Sequence, residues 1–98
     1  MADLLSEDEI RTALAPLAGW SYDGEAIVRE VPVEDASRDN LERAVMSAAD
    51  EMNHHPVLEQ SPGRMRLRIW THSAGGVTAK DVELAARLDQ VLSGTVPD

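Results

Sequence analysis

From Arg64 to Thr71 the chain alternates without a break, with Met65, Leu67 and Ile69 on one side and Arg64, Arg66 and Arg68 on the other. A period of two is the signature of a strand with one buried face. Val57 to Gln60 reads as a shorter strand, joined to it by the turn Ser61-Pro62-Gly63. Upstream the period changes. Leu41, Val45, Ala48, Ala49 and Met52 recur at helical spacing and predict a helix over about residues 37–53. Before that helix, 20–22 and 26–33 read as two strands, and Asp23-Gly24 supplies the positive φ that a hairpin turn needs. Ser6 and Glu9 form a capping-box pair at the start of a first helix, with Ile10, Leu14 and Leu17 on one face and Pro16 and Gly19 at its end. Gly75-Gly76 breaks the alternating strand. Thr78 with Asp81 three residues later then opens a last helix, striped by Val82, Ala85, Leu88 and Val91/Leu92. The order is α-β-β-α-β-β-α. The expected fold is α+β, a single antiparallel four-stranded sheet with three helices packed on one face.

Composition narrows the functions this fold could carry. Ninety-eight residues predict one domain spanning 1–98, and a 43% hydrophobic content allows one modest core. Eighteen acids against nine bases leave a net charge of -9, which argues against nucleic acid as a partner. The absence of cysteine removes disulfides and thiolate metal sites. No apolar run approaches the roughly 20 residues of a membrane span, and the acidic opening MADLLSEDEI is unlike a secretory signal. The expectation is a cytoplasmic protein without a membrane partner.

The chemistry is concentrated in the histidines. All three lie in two short segments, His54-His55 before Pro56 and His72 after Thr71. Imidazole titrates near neutrality, so it can give and take a proton at cellular pH. Pro56 cannot continue the long helix and biases His55 away from helical backbone, so the pair sits at a helix C-terminus. If that helix lies across the sheet, the pair and His72 can converge on one cavity. Adjacent histidines point in different directions and should do different jobs. Three histidines could also bind zinc, but adjacent ones do not easily turn toward one ion. Asp50 reads equally as a solvated helix residue or as a partner for an imidazole one turn on. Asp81 reads equally as a helix cap for Thr78 or as part of the site.

The string Asn53-His54-His55-Pro56, with Asp50 four positions before the first histidine, then Thr71-His72, then Asp81, resembles the pterin-4a-carbinolamine dehydratases. Gly19-Trp20 and the strand carrying Ile27 and Arg29 resemble that family's first strands, so the likeness spans nearly the whole chain. It implies dehydration of a 4a-hydroxytetrahydropterin to the quinonoid dihydropterin, with no metal and no other cofactor. It implies His54, His55 and His72 as catalytic residues. The pterin would be bound by these with Pro56, Thr71, Ser73 and Ala74, and supported by Asp50 and Asp81. The turn at Gly75-Gly76 would let the backbone of Ser73 and Ala74 approach the ligand. Val57, Leu58 and Pro62 depart from the family, which often carries an acid and aromatics there; the packing around the second hairpin is expected to differ.

The resemblance also implies a homo-oligomer, a dimer or a tetramer. Trp70 shares the face of Arg64, Arg66 and Arg68, a composition common at interfaces. The expectation is that this face borders a second copy, whose acids meet the arginines. The alternative function is a non-catalytic binding or assembly domain on the same fold.

Overall fold

A computed structural model describes residues 3–95; Met1 and Ala2 of the acidic opening segment lie outside them. The elements are α1 (Glu7–Leu14), β1 (Trp20–Tyr22), β2 (Ile27–Pro32), α2 (Asp35–Met52), β3 (Val57–Ser61), β4 (Arg64–Ile69) and α3 (Ala79–Thr95), with a single 3-10 turn over His72–Ala74. The strands form one sheet in the order β1-β2-β4-β3, antiparallel throughout. The expected α+β architecture is thus present.

Strand register sorts the two faces. Ile27, Arg29 and Val31 lie opposite Ile69, Leu67 and Met65, and this side meets the helices. The core joins these side chains to Ile10 and Leu14 of α1, Leu41, Val45, Ala48 and Ala49 of α2, and Leu84, Ala85, Leu88 and Leu92 of α3. The stripe expected on α3 is therefore corrected in detail. Leu84 is fully buried, whereas Val82 is only partly so. The reason is that α3 packs against α1, α2 and the sheet, so its apolar face is wider than one stripe.

Boundaries move by a few residues. α2 begins at Asp35 rather than Ser37, and β2 spans Ile27–Pro32 rather than Ala26–Val33. The alternation of Arg64 to Thr71 outlasts strand β4, which ends at Ile69; Thr71 makes only an isolated bridge with Gly76. His72 thus opens a 3-10 turn instead of ending a strand. The capping box at Ser6 and Glu9 is formed, with both reciprocal bonds present.

Arg29 is the polar member of the helix-facing side. Its guanidinium donates to the Ala18 carbonyl and lies directly over Gly19, whose φ is +89°. A side chain at Gly19 would collide with that guanidinium as well as straining the backbone. The Gly19-Trp20 pair is a packing requirement at the entry to β1.

Candidate active site

Two helix termini build the centre of the site. At the C-terminus of α2, Asn53 takes the left-handed conformation (φ 53°, ψ 39°). The Asn53 amide donates to the Asp50 carbonyl and the His54 amide to the Ala49 carbonyl. These are the paired closing bonds of a Schellman motif. They turn the chain sharply, so that His54 leaves the helix axis just before the buried Pro56. At the other terminus, the Asp81 carboxylate receives the Thr78 amide at 2.8 Å and caps α3.

Asp81 is wholly buried, and it is where the segments meet. Its Oδ2 accepts from the Thr71 hydroxyl at 2.8 Å as well as from the Thr78 amide, while Thr71 and Thr78 hydroxyls lie 2.8 Å apart. Its Oδ1 lies 2.5 Å from His54 Nε2. The His54 side chain is 17% exposed, so only part of the ring is reachable from outside. An ionised carboxylate only accepts hydrogen bonds, so a neutral imidazole beside one would carry its proton on Nε2 and leave the Nδ1 lone pair free. Asp81 therefore does both things the sequence left open: it caps a helix and it orients an imidazole.

The other two histidines are held differently. His55 Nε2 lies 2.5 Å from Asp50 Oδ1, and both side chains are largely in solvent. Asp50 is thus a solvated helix residue and an imidazole partner at once. His72 is exposed on the 3-10 turn, with Ser73 also exposed and Ala74 partly covered. Its ring packs on Trp70, centroids 4.7 Å apart and planes tilted by 51°. Among the described residues no hydrogen bond or ring contact joins His72 to His54 or His55. The structure gathers His54, Asp81, Thr71 and Thr78 into one bonded cluster. It places His72 at the wall of a cavity of about 560 Å³ with Tyr22, Glu25, Arg68, Trp70 and the Gly75–Val77 backbone. His54 and His55 are not among the residues lining that cavity. No group of three or more His, Asp or Glu side chains among the described residues is arranged to hold a metal ion.

Two contributors escaped the sequence reading. Thr78 reads in the sequence only as a helix start, yet its hydroxyl and amide complete the shell around Asp81. Asp23 reads in the sequence only as a turn residue. Its carboxylate receives the Glu25 and Ala26 amides at 2.9 and 2.8 Å and also pairs with Arg68 at 2.9 Å. Burial alone would push the Asp23 carboxyl up, but the Ala26 and Glu25 amides and the Arg68 guanidinium outweigh it and hold it below the ordinary carboxylate range. The alternation of basic residues on β4 with acids in the β1–β2 turn was the available signal.

The structure is an α+β domain in which a buried carboxylate joins an imidazole to two threonines. Residues 3–91 match the model of the family described as pterin 4 alpha carbinolamine dehydratase, and the chain belongs to that family. Relatives from Sulfurisphaera tokodaii (38% identical over 90 residues, 91% of this chain and 97% of the relative) and Natronomonas pharaonis (37% over 92 residues, 93% and 98%) are both provisionally named pterin-4-alpha-carbinolamine dehydratase. A crystal structure from Brucella melitensis, described as a transcriptional coactivator/pterin dehydratase, superposes with a TM-score of 0.80 at 30% identity, covering 91% of this chain and 98% of that one.

Proposed function

We propose that this protein dehydrates a 4a-hydroxytetrahydropterin to the quinonoid dihydropterin and water. The observation that carries the reading is the Asp81 junction, which sets a buried carboxylate against His54 Nε2 and ties its segment to Thr71, the residue before His72. In the reaction the C4a–O bond breaks with its electron pair on oxygen, which takes up a proton and leaves as water. A proton departs from a ring nitrogen, and the product is neutral overall. His54, with a lone pair on Nδ1 and an anionic carboxylate behind Nε2, suits the base, since Asp81 stabilises the imidazolium that forms. His72, exposed and free of hydrogen bonds among the described residues, suits the acid at the leaving oxygen. His55, steadied by Asp50, binds and orients the pterin together with Pro56 and the Thr71–Ala74 segment.

The test is a dehydration assay on the 4a-hydroxytetrahydropterin, with and without chelator. His54→Ala and His72→Ala should each lower turnover by about two to four orders of magnitude, while His55→Ala should act more on KM. Undiminished activity in His54→Ala overturns the assignment, and loss of activity to chelator favours a zinc mechanism instead. One observation supports a second reading, a non-catalytic binding or assembly domain: among the described residues no hydrogen bond or ring contact joins His72 to the other histidines. A parent protein that leaves the spontaneous dehydration rate unchanged would establish that reading. Assembly into a homo-oligomer belongs to the proposal as well; edge strand β3 leaves one backbone edge unpaired and exposes Val57.

A further inference from the structure

His54 and His72 are oriented by different means. His54 is fixed by a buried carboxylate, whereas His72 has neither a carboxylate nor any hydrogen bond to its ring among the described residues. What holds it is a tilted ring contact. The His72 ring lies against Trp70, and the Arg68 guanidinium carbon lies 5.5 Å from the centre of the Trp70 ring on a cation–π contact. Arg68 is in turn clamped by Asp23 at 2.9 Å and Glu25 at 3.7 Å. Asp23 is locked by two backbone amides of its own turn. The sequence spacing makes this possible: 68, 70 and 72 alternate, so their side chains leave the chain on one side even though regular pairing stops at Ile69.

We infer that Trp70 is a positioning residue for His72, setting the imidazole at the wall of the cavity that Tyr22, Glu25 and Arg68 also line. The inference rests on the proposed dehydratase reading, because it presumes that His72 meets the substrate. A ring on a 3-10 turn with no hydrogen bond has two free side-chain torsions, and the ring contact removes much of that freedom. A misplacement of about 1 Å at a reacting group can cost about 100-fold in rate, so releasing the ring should be visible in turnover.

The experiment pairs a spectroscopic with a kinetic readout. In the parent, the His72 ring protons should show a ring-current displacement from the Trp70 indole by NMR, identified by their loss in His72→Ala. Trp70→Leu should abolish that displacement and lower kcat by about 10- to 100-fold, with a smaller change in KM. Trp70→Phe, which keeps an aromatic face, should recover most of both. Unshifted His72 protons in the parent would overturn the inference, as would an unchanged kcat in Trp70→Leu when His72→Ala is impaired. Full activity in His72→Ala would instead strike the dehydratase assignment of His72, and Trp70's positioning role with it, while the NMR readout would still report whether the ring contact exists. Should Trp70→Leu fail to fold, Arg68→Gln loosens the same contact from its far end and should give the same displacement loss in milder form.

Discussion

At the scale of single residues, Asp81 carries the most. A carboxylate with no solvent exposure is tolerable only if its oxygens are fully bonded, and here they receive an amide, a hydroxyl and an imidazole. Asp81→Asn separates its two tasks. The amide oxygen can still accept from Thr78 and Thr71, but its NH₂ now faces His54 Nε2 and must donate to it. The imidazole proton then moves to Nδ1, and the proposed base is lost. Turnover in the dehydration assay should fall by about two to four orders of magnitude, while the thermal midpoint drops only modestly. Asp81→Ala should instead destabilise by about 3–5 kcal/mol, because a buried amide, hydroxyl and imidazole are stranded together. Comparable stability losses in both variants would show that Asp81 is a cap and nothing more. Asp81 stands out in the sequence through its capping-box spacing from Thr78 and through the family resemblance. The sequence could not reveal that one carboxylate serves both helix and imidazole, because that depends on the left-handed Asn53 that swings His54 back toward α3.

Among the elements, the β1–β2 hairpin links fold to site. Period-two alternation and the Asp-Gly pair made the hairpin legible, and helical spacing did the same for α1 and α2. Where β4 stops was not legible, since residues 70 and 71 keep the alternation but Thr71 pairs only with Gly76 in its own loop. Two predictions belong at this scale. Gly19→Ala places a methyl group under the Arg29 guanidinium at a φ of +89° and should cost more than about 1 kcal/mol by chemical denaturation. A parent-like midpoint would mean that Arg29 moves aside freely. The second prediction concerns Asp23, whose folded-state pKa lies below its unfolded value. Its contribution is therefore fully present above the unfolded carboxylate range near pH 4 and is lost as pH falls through the depressed folded value. Asp23→Asn should flatten the acid limb of the stability–pH curve. If parent and variant lose stability in parallel below pH 4, the Asp23 contacts are too weak in solution to matter.

For the whole molecule, the question is where the excess of acids goes. The arginines of β4 are expected from the sequence to meet acids of a second copy; within the chain itself they already have carboxylate partners. Arg64 pairs with Glu30, Arg66 with Glu59 and Asp23, and Arg68 with Asp23 and Glu25. The cause is register. Arg66 on inner strand β4 lies directly opposite Glu30 of β2 on one side and Glu59 of β3 on the other. Sheet pairing therefore assembles a band of alternating charge across the outer face, which a linear reading of β4 alone does not show. No helix of the described residues is long and apolar enough to cross a membrane. Reversing the band's central charge tests the assignment. Arg66→Glu would set three carboxylates side by side, and like charges directly opposite across strands destabilise by a few tenths to about 1 kcal/mol per pair. Two pairs should lower stability by about 0.5–2 kcal/mol at low ionic strength, and added salt should restore part of it because the face is solvated. The mass from light scattering should match the parent, since the partners that Arg66 loses are its own. A variant with parent stability and a smaller mass would instead return the arginines to an interface between copies, with carboxylates of a second chain as their partners.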